Sequence, residues 1–177
     1  MTTALLENSI DTPALLDTIA GNAKAVDRNE IPARYGIELL GARQGFRRTT
    51  LLETARQLRE IAAVDLSVAF GIWAHTMVIT YLRTADTDYV RYVLPALENG
   101  TRPGVTGMAP AFKEAAGAGV IDLTATPSED GYLLNGSLAW ASNLAEDAVI
   151  VTAARTPAGE RLLVAFDGCA PGVTLGT

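Results

Sequence analysis

The spacing of the apolar residues changes near Gly100, and that change constrains the fold more than any other feature of the chain. Before it, apolar side chains recur at steps of three and four; after it, they alternate. A period of 3.6 and a period of 2 belong to different elements. The chain must therefore build helices first and strands second, an α+β arrangement with a helical part over 1–100 and a β part over 101–177.

In the helical part, Thr12-Pro13 reads as a helix start, with Pro at the first helical position, and Leu15, Ile19, Ala23 and Val26 follow on one face. Thr50 and Glu53 have the spacing of a capping box, which satisfies two orphan N–H groups reciprocally. They open a helix through Leu51, Ala55, Leu58 and Ala62. The next stretch, LSVAFGIWAHTMVITYL from Leu66 to Leu82, contains no Asp, Glu, Lys or Arg. A membrane span needs about 20 mostly apolar residues. This run is shorter and includes Ser67, His75, Thr76 and Thr80, so it reads as a buried core helix capped by Asp65 or Ser67. His75 then reads as a hydrogen-bonded core residue. A last helix from about Asp86 turns Val90, Val93, Leu94 and Leu97 inward and ends at Asn99-Gly100, where Gly accepts the left-handed conformation.

Beyond Gly100, Ile121, Leu123 and Ala125 alternate with Asp122, Thr124 and Thr126, as in a half-buried strand. Pro127 to Gly131 is a turn cluster, and Tyr132 to Leu134 resumes the strand. Asn135-Gly136 suits a type I′ hairpin, after which Leu138 to Ala141 is expected to return as a strand carrying Trp140. Ala148 to Ala154 and Arg161 to Phe166 read as further antiparallel strands. Three or four hairpin strands leave sheet edges that need pairing or covering. A further segment or another chain is expected to complete the sheet.

Composition excludes some partners. A net charge of −6 with a pI near 4.8 does not suit a nucleic-acid surface. One Cys and one His among 177 residues leave neither a disulfide framework nor a multi-ligand Cys/His metal site, so no metal is expected. Cys169 has no basic neighbour to activate it. The opening MTTALLENSIDTP lacks a basic n-region and a long apolar h-region, so no signal peptide is expected and the chain reads as cytoplasmic. The basic run Arg43 to Arg48 reads as a solvated loop.

Four stretches, in order, carry a resemblance. IAGNAKAVDRNEIP, LREIAAVDLSVAFGIWAH, LPALENGTRPGVTGMAP and DGYLLNGSLAWASNLAEDAVIVTAART together resemble the N-terminal half of the acyl-CoA dehydrogenase superfamily. The resemblance implies a helical N-terminal domain, the first part of a middle β domain, and FAD as cofactor. It aligns Gly136, Trp140, Ser142 and Asn143 with the family's second flavin-contacting element. There Trp140 would pack on the isoalloxazine ring and the Ser142 hydroxyl would reach its polar edge. In the first flavin-contacting loop, the backbone N–H groups of Gly107 and Met108 would serve.

That first loop departs from the family's pattern. Met108 stands where a hydroxyl is expected and Ala109 where an acid is expected. Glu114 stands at a Ser position near the pyrophosphate, where its charge would repel unless it turns away. Leu138 replaces a Lys. The family's catalytic carboxylate belongs to a C-terminal helical bundle with no counterpart in this sequence, so no catalytic residue is assigned. The resemblance implies α,β-dehydrogenation of acyl-CoA or a similar thioester, within a homo-oligomer or with a chain supplying the missing bundle. Two other readings stay open: a flavin-dependent monooxygenase of the same superfamily, or a non-catalytic partner subunit or fragment.

Overall fold

The computed structural model describes residues 12–47, 50–129 and 131–176. The opening segment expected to lack a leader, Arg48 of the basic run and Asp130 of the turn cluster lie outside them. Six helices and five strands follow in the order α1 (Thr12–Asp27), α2 (Tyr35–Gly41), α3 (Leu51–Ala62), α4 (Leu66–Leu82), α5 (Asp88–Glu98), β1 (Gly104–Gly107), α6 (Ala109–Ala115), β2 (Thr124–Ser128), β3 (Gly131–Asn135), β4 (Val149–Arg155) and β5 (Arg161–Asp167). The change of period near Gly100 is thus a change from helices to a mainly β segment. The chain divides into two compact units: the N-terminal part through Trp73 with Glu98–Thr101, and Ala74–Leu97 with everything from Arg102 onward.

The first unit is built as the helical spacing predicts. Leu15, Ile19 and Val26 of α1 are buried. Thr50 and Glu53 form the full capping box at α3, with Glu53 N donating to Thr50 Oγ1 at 3.2 Å and Thr50 N to Glu53 Oε2 at 2.7 Å. Ile61 is the buried residue of α3, whereas Leu51 is exposed. Asp65 caps α4 by accepting from Val68 N at 3.0 Å. α2 has no clear signal in the sequence. Its Gly41 is fixed by close approach: a Cβ there would lie 2.4 Å from the Asn99 backbone. Gly100 adopts φ 75, the left-handed turn expected after α5.

In the second unit the later half of α4 is buried, including Ala74, His75, Val78, Ile79 and Leu82. No described helix is long and apolar enough to cross a membrane. The strands form one sheet in which β4 is central. It pairs with β5 antiparallel along its whole length, Val149 opposite Asp167 and Arg155 opposite Arg161. Its other edge takes β1 and the start of β2, both parallel. β2 and β3 form the antiparallel hairpin predicted around the turn cluster, Thr124 opposite Asn135. The alternation of Ile121, Leu123 and Ala125 as buried residues holds, although the strand proper starts at Thr124. The two parallel pairs are not visible in the alternation, because burial period says nothing of strand direction.

One expected element is absent. Leu138 to Ala141 is not a strand, and Asn135-Gly136 makes no hairpin with it: Asn135 ends β3, and the chain runs irregularly until β4. Gly136 has φ 140, and a Cβ there would lie 2.8 Å from the Asp122 carbonyl. The chain crosses close over the Asp122–Leu123 backbone instead of folding back beside β3. Leu138, Ala141 and Ala145 then pack on Val105, Ala148 and Ile150.

Candidate functional site

The residues expected to hold a cofactor fall on two stretches, the end of β1 and the irregular segment before β4. β1 enters between fixed points. His75 is fully buried; its Nδ1 accepts from Gly104 N at 2.8 Å and its Nε2 lies 3.0 Å from the Leu97 carbonyl. Because Nδ1 accepts an N–H, Nε2 carries the proton and donates to Leu97 in a neutral ring. Burial pushes the imidazole pKa down to about 4, outweighing the opposite pull of the Leu97 carbonyl. Just ahead of β1, Arg102 pairs with Asp167 at 2.7 Å, and the Tyr89 hydroxyl donates to the same carboxylate oxygen at 2.8 Å. Burial, then the Asp167 carboxylate, raises the phenol pKa.

At the other end of β1, Gly107 is opposite Thr152 of β4, whose buried hydroxyl donates to the Gly107 carbonyl at 2.8 Å. A Cβ at Gly107 would lie 3.0 Å from both Leu138 Cδ1 and Thr152 Oγ1, so a side chain there would press on the irregular segment and on β4. Farther along that segment, Asn143 adopts φ 65 and donates Nδ2 to the Gly104 carbonyl at 3.1 Å. Leu138 and Asn143 thus fasten the segment beside β1. Between them Ser142 is half-buried, and Trp140 is 76% exposed. An exposed Trp between two anchored residues is unlike a core aromatic, which would bury most of its large apolar area.

The stretch after β1 is a short helix, α6, where the resemblance implies a loop. Met108 is its N-cap, at φ −83 and ψ −5, with no side-chain capping bond. Its Glu114 turns away from the β1 end. Oε1 meets Arg155 Nη2 at 2.6 Å and Arg161 Nε at 2.8 Å, and Oε2 accepts from Ile121 N at 3.1 Å. The Arg155 guanidinium first, then the Ile121 N–H, holds this carboxyl below the usual carboxylate range. The side chain is only 12% exposed and serves as a clamp of α6 onto the β4–β5 hairpin. Lys113 is exposed. Among the described residues, no group of His, Cys, Asp and Glu could hold a metal ion.

Sequence reasoning missed Asn143 as an anchor and Glu114 as a clamp. The first had a signal, since Asn in a turn tolerates positive φ. The second had none, because its arginine partners lie 41 and 47 residues away.

No family model matches the sequence, and no curated protein matches it. Solved structures match in fold. Glutaryl-CoA dehydrogenase from Mycobacterium smegmatis aligns with a TM-score of 0.69 at 22% identity, over 93% of this chain and 47% of its own. Butyryl-CoA dehydrogenase from Megasphaera elsdenii gives 0.70 at 21%, over 97% and 51%. The chain has a partial acyl-CoA dehydrogenase-like fold. It spans about half the length of the structures it matches. An FAD complex of PigA also aligns with this acyl-CoA dehydrogenase-like chain, with a TM-score of 0.68 at 17% identity, over 93% of this chain and 49% of that one.

Proposed function

We propose that the chain is the N-terminal portion of an FAD-dependent oxidoreductase that dehydrogenates an acyl thioester between its α and β carbons. The observation that carries this reading is Trp140, exposed on a segment that Leu138 and Asn143 hold beside β1, within an acyl-CoA dehydrogenase-like fold. The residues present fit a flavin ring. Trp140 offers an open aromatic face and Ser142 a hydroxyl two residues on. Glu114, bound to Arg155 and Arg161, does not set its charge against a phosphate there. When bound, the flavin supplies a hydride acceptor. This chain's part is to stack on the ring through Trp140, to donate from Ser142 and from the Met108 amide, and to exclude water from one face.

The proton-abstracting carboxylate, the thioester pocket and the oligomer come from the remainder of the assembly, either a homo-oligomer or a partner chain with the helical bundle. Solved neighbours include glutaryl-CoA and butyryl-CoA dehydrogenases, which supports a thioester substrate. A non-catalytic partner subunit is the second reading. It is favoured by Met108 at the expected hydroxyl position, where it caps α6 with no side-chain bond.

FAD titration tests the proposal. The chain has two Trp; in a Trp73→Phe background, Trp140 reports alone. Saturable quenching of Trp140, together with a change in the visible flavin band, is the expected result. Trp140→Ala should weaken FAD about tenfold, the scale of an aromatic stacking contact. Absence of any spectral change at saturating FAD would sink the flavin reading and leave the non-catalytic one. In the completed assembly, an acyl-CoA should bleach the flavin anaerobically.

A further inference from the structure

A second feature of the β unit is independent of Trp140. Between α6 and the β4–β5 hairpin lies a cleft of about 340 Å³, lined by Met108, Phe112, Ile121, Ala153 and Leu163, with Arg161 also on its wall. Ala153 alternates with Thr152 along β4, so the cleft opens on the sheet face opposite the one where Thr152 meets Gly107.

The charges beside this cleft are unbalanced. Glu114 meets two guanidinium groups, which leaves one net positive charge in the cluster. Arg155 is committed, giving Nη2 to Glu114 and Nη1 to the Gly159 carbonyl at 2.7 Å. Arg161 gives Nε alone to Glu114, and its side chain is 64% exposed. With Nε given to Glu114, the Nη1–Nη2 fork is the part of Arg161 that can take a carboxylate end-on in a bidentate pair. Phe112 and Leu163 are exposed beside it and supply apolar surface that has no use for a charged ligand alone.

We propose that this cleft binds an amphipathic monoanion, an apolar body ending in a carboxylate, with the body on Phe112, Ala153 and Leu163 and the carboxylate on Arg161. The volume suits a small ligand, at the lower end of the usual range for such sites. Glu114 acts as the positioning residue: it fixes Arg161 and the wall formed by α6 together. The proposal does not rest on flavin binding.

The test uses the ¹⁵N-labelled chain and three probes with the same alkyl tail: octanoate, octan-1-ol and octylammonium. Octanoate should cause saturable amide shifts centred on Phe112, Ile121, Ala153 and Leu163, with one molecule bound, and should bind most tightly of the three. Arg161→Gln should weaken octanoate about threefold to fivefold, as loss of an exposed ion pair allows, with octanol unchanged. Ala153→Leu, which fills the floor and leaves Arg161 in place, should abolish binding of octanoate. Octanol or octylammonium binding as tightly as octanoate would overturn the proposal. So would shifts centred away from the cleft, around Phe70 and Trp73 for example, or the absence of saturation. An FAD titration that fails on Trp140 would leave these outcomes unaffected.

Discussion

Protonation of His75 should unfasten the entry of β1. Its Nδ1 faces the Gly104 N–H at 2.8 Å, so a second ring proton would set donor against donor inside the core. The folded-state pKa is about 4 against an ordinary 6.5. The unfolded chain therefore binds the proton more readily, and stability rises with pH across that window. The contribution is fully present above pH ~6.5 and is lost as pH falls towards ~4. At roughly 1.4 kcal/mol per pH unit, the whole window is worth about 3 kcal/mol. That is a large share of a typical stability of about 5–15 kcal/mol. Carboxylates titrate in the same range, so a His75→Gln variant is needed to remove their common slope. Urea unfolding followed by far-UV circular dichroism from pH 4.5 to 8 should show the native chain losing stability faster on acidification than the variant. With one His in the chain, imidazole ring resonances give the site directly. A His75 signal that titrates near 6.5 in the folded chain, or equal pH slopes in chain and variant, would refute the reasoning.

Three further outcomes follow from the geometry. Gly100→Ala should destabilise the helical unit by about 2 kcal/mol or more, read as a lower urea midpoint. It forces a side chain into φ 75 with a Cβ 2.5 Å from the Ile37 carbonyl oxygen. Thr50→Ala should cost about 1 kcal/mol through loss of the capping box, and Thr50→Ser should restore most of it in the same assay. Asp167→Ala should cost about 2 kcal/mol, because it strips partners from the Tyr89 hydroxyl and the half-buried Arg102. Amide exchange should then quicken at the starts of β1 and β4.

Much of the helical part was legible in the sequence because its signals are local. The Thr50–Glu53 box spans one turn, Asp65 precedes the helix it caps, and Gly100 marks the end of α5 by its own backbone freedom. The buried apolar helix, with His75 as a bonded core residue, followed from the absence of charge in Leu66–Leu82. The order of four stretches likewise led to the acyl-CoA dehydrogenase-like fold. What failed was Leu138 to Ala141 as a strand. Period and turn chemistry there are those of a hairpin, but the close crossing of Gly136 over Asp122 is a contact between distant parts of the chain.

The sequence by itself therefore set most of the helices and the alternation along the strands, since these depend on neighbours within a few positions, while Gly107, Met108, Trp140 and Ser142 entered as candidates through the family resemblance. Tertiary structure alone decided that β1 and β2 run parallel to β4, that Leu138 and Asn143 bind their segment to β1, and that Glu114 faces Arg155 and Arg161. Each of these is a pairing across tens of residues. Spacing along a chain encodes which face a residue shows, and only the folded backbone fixes what that face meets.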